Sequence, residues 1–132
     1  MLGNDVVFSS FSVDDIEKAQ EFYSKTLGLT VTQSDDMPMP LLHIQLVGGG
    51  KIMVYPKPDH TPATFTILNF SVNDIEKTVD ELTNSGVSFE SYNNEYIKTD
   101  DKGIAHDETG STPSIAWFKD PAGNIIAVMQ EK

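Results

Sequence analysis

The sequence predicts an α+β fold built from two tandem βαβββ modules, and two observations lead there. The segment Phe11 to Lys18, FSVDDIEK, returns as Phe70 to Lys77, FSVNDIEK, with seven of eight positions matching at an offset of 59 residues. A repeat this close in 132 residues implies duplication of a unit about half the chain long. Each copy also stands at the same junction, where a period-2 apolar pattern ends and a period-3.6 pattern begins. A site shared by two joined modules usually lies in the cleft where they meet.

The elements of the first module follow in order. Val6 to Ser12 alternates as a strand, with Val7, Ser9 and Phe11 on one face and Phe8, Ser10 and Ser12 on the other. Asp14 is the expected N-cap of a helix, with Glu17 three residues on as an approximate capping box. Ile16, Ala19, Phe22, Tyr23 and Leu27 recur at helical spacing, and Gly28 supplies the left-handed residue that ends the helix. Leu29 to Gln33, Leu41 to Val47 and Lys51 to Tyr55 read as strands, the last two joined by a tight turn at Gly48-Gly49-Gly50.

The second module repeats the order. Thr64 to Ser71 is a strand, and Asn73 caps a helix whose inner face is Ile75, Val79 and Leu82 and whose stop is Gly86. Val87 to Ser91, Ser114 to Phe118 and Asn124 to Gln130 are the three further strands, with Asp120-Pro121-Ala122-Gly123-Asn124 as the last hairpin turn. Pro56, Pro58 and Pro62 punctuate the linker, so the modules span about residues 1–62 and 63–132 within a single domain. Asn93 to Pro113 is a polar insertion of 21 residues without strong periodicity, longer than an idle connection usually is.

Composition narrows the chemistry. At 39% hydrophobic the chain can bury one real core. No apolar stretch is long enough to span a bilayer, and Met1 to Ser10 lacks the basic start and apolar run of a signal peptide, so a soluble cytoplasmic protein is expected. With no cysteine, disulfides, thiolate nucleophiles and cysteine-ligated metals are excluded. Twenty acidic residues face nine basic ones, all lysine, for a net charge of -11. Such a field repels phosphate backbones, and without arginine there is no bidentate fork to grip them, which argues against nucleic acid as a partner. The same field attracts cations, although acidity of this kind also serves solubility alone.

Tandem βαβββ modules, the spacing of Val13, Asp15, Phe22 and Tyr23 before Leu27-Gly28-Leu29, and the closing Phe118-Lys119-Asp120-Pro121-Ala122-Gly123-Asn124 resemble the vicinal oxygen chelate superfamily of glyoxalases, extradiol dioxygenases and bleomycin-resistance proteins. The resemblance covers nearly the whole chain. It implies a glyoxalase/bleomycin-resistance-like fold whose curved mixed sheets enclose a central cavity, commonly in a homodimer. It leaves function open, because very different activities share this scaffold.

Metal-dependent members are expected to hold a divalent ion through His, Gln or Glu on the first and last strand of each module. Counting back seven residues from Asp15 and Asp74 places Phe8 and Ile67 there, and the last strands offer Met53 and Ala127. An aryl group, a thioether and two aliphatic side chains cannot replace the water of a divalent ion, and neither Tyr55 nor Lys51 improves on Met53. No metal and no cofactor is therefore expected. Without a Lewis acid, the best-known isomerisation and ring-cleavage chemistry of such relatives loses its basis. The absence of arginine further weakens a glutathione-dependent reading, since the carboxylates of glutathione would lack a guanidinium partner.

Strand alternation gives an expected cavity lining. Ser10, Ser12, Phe65, Asn69 and Ser71 continue the faces of Phe8 and Ile67; His43, Gln45 and Trp117 come from middle strands, and Met53, Tyr55, Ala127 and Met129 from last strands. Ile44, Leu46, Ile126 and Val128 are left to pack on the helices. Singly, inward aromatics and methionines are ordinary space fillers; together with hydroxyls and amides they describe a pocket for a small flat organic molecule. The expected ligand-binding set is Phe8, Ser10, His43, Gln45, Met53, Tyr55, Ile67, Asn69, Trp117 and Met129. His43 is the one weak candidate for catalysis, as a base or hydrogen-bond donor, and it has no evident acid partner in sequence. His60, beside Asp59 in the linker, is expected to be solvated, and His106-Asp107-Glu108 after Asp100-Asp101 suits an exposed run, a cation site or a lid. No nucleotide-binding, metalloprotease or serine-hydrolase motif occurs.

Three functions fit these residues. The favoured one is a metal-free protein that sequesters a small aromatic or cationic compound between its modules, stacking it on Trp117, Phe8 and Tyr55. The alternatives are a glyoxalase-type lyase or isomerase, or a dioxygenase, with a displaced metal site built from His43, His106 or nearby carboxylates, and a dimeric protein-interaction module with a vestigial cavity.

Overall fold

Each copy of the repeated segment carries the chain from a strand into a helix, and each helix is capped by the aspartate at the fifth position of its copy. The computed structural model describes residues 1–35, 38–106 and 113–131. The chain divides into two compact units, Met1–Thr61 and Pro62–Lys132. Each is an α+β layer of one helix on a four-stranded mixed sheet.

In the first unit, β1 (Ser9–Val13), α1 (Ile16–Glu21), β2 (Thr30–Ser34), β3 (Leu41–Gln45) and β4 (Lys51–Pro56) form a sheet of order β1-β4-β3-β2. β1 runs parallel to β4, and the other pairs are antiparallel. β1 begins three residues later than the alternation predicts. Its sole neighbour is β4, and pairing Ser9 with Ile52 leaves Val6 and Val7 beyond the end of that partner, 94% and 90% exposed. Similarly, β3 stops at Gln45 because Leu46 and Val47 belong to the glycine turn, where the Leu46 amide donates to Gly50 O at 2.8 Å. Leu46 is therefore exposed and does not pack on a helix as alternation predicts. Gly48 and Gly49, at φ +95° and +98°, take the left-handed conformation this turn requires.

The helix cap is Asp15, not Asp14. β1 is still extended through Val13, whose carbonyl accepts from the Lys57 amide, so helical dihedrals start only at Ile16. The Asp15 carboxylate accepts from the Glu17 and Lys18 amides, both at 3.1 Å. After Glu21 the helix widens into π-type turns over Phe22–Thr26, and Gly28 ends it at φ +74°. Ala19 and Tyr23 are buried, and α1 lies against β3 and β4, whose inward residues Leu42, Ile44, Ile52 and Val54 are also buried.

The second unit contains β5 (Thr66–Ser71), α2 (Ile75–Asn84), β6 (Ile104–Ala105), β7 (Ser114–Lys119) and β8 (Ile125–Gln130), in the order β5-β8-β7-β6. Asp74, rather than Asn73, caps α2 by accepting from the Lys77 amide at 3.2 Å. Ile75 and Val79 are buried against β7 and β8, where Ala116, Phe118, Ile126 and Val128 complete the core.

The largest departure from expectation is the strand predicted at Val87 to Ser91. That segment makes only one bridge to β7, Phe89 opposite Phe118, with the Glu90 amide donating to Trp117 O at 2.8 Å. Further along the β7 edge β6 pairs Ile104 with Ala116 and Ala105 with Ile115. The βαβββ order survives, but its second strand, at the edge of the sheet, comes from the insertion. Two features seat it there. The Asp100 carboxylate accepts from the Lys102 and Ile104 amides, both at 2.9 Å, and turns the chain. Gly103 then passes so close to Phe89 that an added Cβ would stand 2.9 Å from its Cβ, at a φ of +90°. Ile104 is fully buried as a result.

Candidate functional site

In both sheets one face is closed by the helix of its own unit and the other carries the residues expected to meet a ligand. In the first unit the cross-strand pairs Ser10–Met53, Met53–His43 and His43–Thr32 form one row across the helix-free face. Ser12 and Tyr55 begin the next row. Met53, Tyr55 and His43 are half-buried, whereas Ser10 and Gln45 are exposed. Phe8 precedes β1 and lies beneath the Lys51 ammonium, 5.1 Å from its ring centroid.

His60 is not solvated as the sequence suggested. The turn after β4 is closed by the His60 amide on Lys57 O, and this folds the ring back so that its Nδ1 lies 2.7 Å from Ser12 Oγ. The pair is half-buried and stands on the helix-free side. Neither the linker composition nor the spacing of 48 residues carries that signal. Only the parallel return of β4 beside β1 brings His60 to Ser12.

In the second unit, Trp117 pairs with Ala127 and Ala127 with Asn69, so the indole, a methyl and an amide share one row. Met129 lies in the next row, between Ile115 and Ser71. The Trp117 ring meets Tyr92 edge to face, with centroids 5.6 Å apart, which fixes the indole plane. Tyr92 immediately precedes the insertion and was not among the expected residues. Ile67 falls at a register shift in which Thr66 pairs with Ile125 and Leu68 with Ile126, so its facing is set by the bulge and not by alternation. Phe65 precedes β5 and is exposed.

Register also resolves which last-strand residues correspond. Ser10 opposes Met53, and Asn69, at the matching place in the second unit, opposes Ala127. Phe8, Met53, Ile67 and Ala127 therefore occupy equivalent places, and none offers an oxygen or nitrogen side-chain donor. These residues do not fit a divalent ion.

Among the described residues, one cluster has metal-ligand atoms close together. Glu76, Asp100 and His106 place them within 4.8 Å of one another, and all three are exposed. His106 Nε2 is 2.9 Å from Asp100 Oδ2, and Lys102 Nζ already lies 3.1 Å from both Glu76 Oε2 and Asp80 Oδ1. Burial is the largest influence on the Asp100 carboxyl and acts upward, yet the Ile104 amide, the His106 ring and the Lys102 amide together leave it below its ordinary value. Beside this cluster a cleft of about 330 Å³ opens on the helix side of the second sheet, with Val79, Phe89 and Lys102 in its walls. His43 is not part of the cluster. Asp107 and Glu108 lie outside the described residues.

Residues 6–128 match the family model described as the Glyoxalase/Bleomycin resistance protein/Dioxygenase superfamily. The chain belongs to that superfamily. Among solved structures, this superfamily member resembles TnmS3, an antibiotic binding protein from Streptomyces sp. CB03234, at a TM-score of 0.66 and 21% identity, covering 98% of both chains. It resembles a glyoxalase family protein from Enterococcus faecalis at a TM-score of 0.69 and 19% identity, over 98% of this chain and 99% of the other. The fosfomycin resistance protein FosX from Listeria monocytogenes matches at a TM-score of 0.70 and 11% identity, over 98% and 94%. At these identities the likeness concerns the fold alone. No curated protein matches the chain significantly. Among the described residues, no helix is long and apolar enough to cross a membrane.

Proposed function

We propose that this superfamily member is a metal-free binding protein that sequesters a small aromatic or cationic compound on its helix-free sheet faces. The observation that carries this reading is Trp117, half-buried on such a face with its plane fixed by Tyr92, with Asn69 in the same row and Met129 in the next. A rigid aromatic wall with an amide and a thioether beside it is suited to flat ligands. The net charge of -11 favours a cationic one. Met53, Tyr55, His43, Ser10, Gln45 and Phe8 supply the first unit's share of contacts, and Ile67 belongs to the second unit's share. The structural likeness to an antibiotic binding protein supports a binding role.

Bleomycin, which is aromatic and cationic, is a suitable probe. Isothermal titration should give saturable binding, unchanged by a molar excess of chelator. Trp117→Ala should weaken that binding about tenfold or more, as expected for loss of a stacking and cation–π wall. Full affinity in Trp117→Ala would remove the face from consideration. Binding or turnover that requires added divalent metal would favour the lyase or dioxygenase alternative.

We further infer a homodimer. Val6, Val7 and Phe8 continue β1 past its partner strand, and Val47 in the glycine turn is fully exposed, which leaves an apolar edge for a second copy to cover. Native mass spectrometry should show twice the chain mass of 14.6 kDa, and a monomer at micromolar concentration would contradict this.

A further inference from the structure

His43 stands in the middle strand β3, at the centre of the helix-free face of the first sheet, and its Nδ1 is fully buried with no hydrogen-bond partner among the described residues. A buried polar atom without a partner is uncommon in native folds and carries a desolvation cost. Neither residue directly across supplies it with a hydrogen bond. The residues directly across are Met53, whose thioether is a poor partner, and Thr32 on the other side.

The ring as a whole is only half-buried, so the part that reaches solvent is its outer edge, which carries Nε2. A neutral imidazole places one proton on one nitrogen. Orphaned buried N–H groups are rarer than under-satisfied acceptors, so the tautomer of lower cost leaves the bare lone pair at Nδ1 and the proton at Nε2. That directs an N–H donor outward at the centre of the row, between the Met53 thioether and the Thr32 hydroxyl, with the Ser10 hydroxyl beyond Met53.

We propose that His43 is the specificity-determining donor of this protein and that its Nε2–H selects ligands presenting an oxygen acceptor, such as an aryl ketone, at the edge of their aromatic surface. The inference rests on the binding reading above and adds a ligand class to it. A base role is not required, because the group gives up no proton. The ligand carbonyl accepts a hydrogen bond from a group that would otherwise face water or an apolar ring.

Fluorenone and fluorene test this, because they share a flat ring system and differ by a carbonyl in place of a methylene. Their affinities are measured with the wild-type protein, His43→Leu and His43→Gln, by calorimetry and by quenching of the single tryptophan. The expected result is that fluorenone binds roughly three- to tenfold tighter than fluorene to the wild type. The preference should vanish in His43→Leu and persist in His43→Gln, whose amide can place an N–H near the position of Nε2. Equal affinities in the wild type, or a preference that survives His43→Leu, overturn the role of His43 while leaving aromatic binding in place. If neither compound binds, both the binding reading and this refinement fail. His43→Gln keeps the comparison informative should His43→Leu fold poorly.

Discussion

Phe118→Ala should destabilise the protein by about 3–5 kcal/mol, the range measured for emptying a buried aromatic site. Phe118 is 1% exposed, stands on the helix side of β7, and meets Phe89 edge to face with centroids 5.4 Å apart. The loss has two parts. Transfer free energy of the ring disappears, and the cavity left between α2 and the sheet collapses only in part because Phe89 is held by its own bridge to β7. For a domain whose total stability is on the order of 5–15 kcal/mol, this is a large share. Chemical denaturation monitored by circular dichroism measures it. Trp117→Ala is the matched comparison, since it truncates the neighbouring residue of the same strand on the opposite, helix-free face. It should cost clearly less stability while removing ligand affinity. Equal losses of stability would mean that the two faces of β7 are not distinguished as described.

Asp120→Ala should cost about 2–4 kcal/mol, the second large effect. Asp120 is a buried carboxylate at the start of the β7–β8 turn. One oxygen accepts from the amides of Ala122 and Asn124, both at 2.9 Å, and the other accepts from the Asn124 side-chain amide at 3.0 Å. Removing it takes away three hydrogen bonds at a site where Asp120 and Asn124 are both buried, and hydrogen bonds to a charged acceptor are the costly ones to lose. Asp120→Asn keeps the acceptor for the two backbone amides and should recover more than half of the loss. Thermal denaturation of the two variants side by side decides this. Equal melting temperatures for Asp120→Ala and the wild type would show that the turn is held by β7 and β8 alone.

These two residues also show how unevenly the chain reveals its fold. Asp120 was visible as a turn residue in a run of Asp, Pro, Gly and Asn, because turn chemistry is local. The faces of β3, β7 and β8 were legible for the same reason, since a period of two separates inward Ile44, Phe118 and Val128 from outward His43, Trp117 and Met129. Strand ends were not legible. Val6, Val7, Leu46 and Val47 satisfy the apolar pattern, yet a strand extends only as far as its neighbour does, and the neighbour is remote in sequence. The second strand of the second unit failed in the same way. Val87 to Ser91 has better β character than Ile104–Ala105, but the turn at Asp100 and the close approach at Gly103 deliver the latter to pair with Ile115 and Ala116 of β7.

The candidate site divides along the same line. Trp117, Met53, Tyr55 and Asn69 were placed by alternation alone, and the absence of hard donors at Phe8, Met53, Ile67 and Ala127 was plain from residue type. Tyr92 against Trp117, His60 on Ser12 and the unpartnered Nδ1 of His43 were not, because each depends on which distant side chain arrives beside it.

By itself, then, the chain determined the duplication, the α+β class, the βαβββ order and the chemistry available at each strand face, since those follow from spacing and side-chain type. Tertiary structure alone decided strand limits, the Asp15 and Asp74 caps, the origin of β6, and which polar atoms find partners. These depend on contacts between residues far apart in sequence, whose geometry no local period encodes.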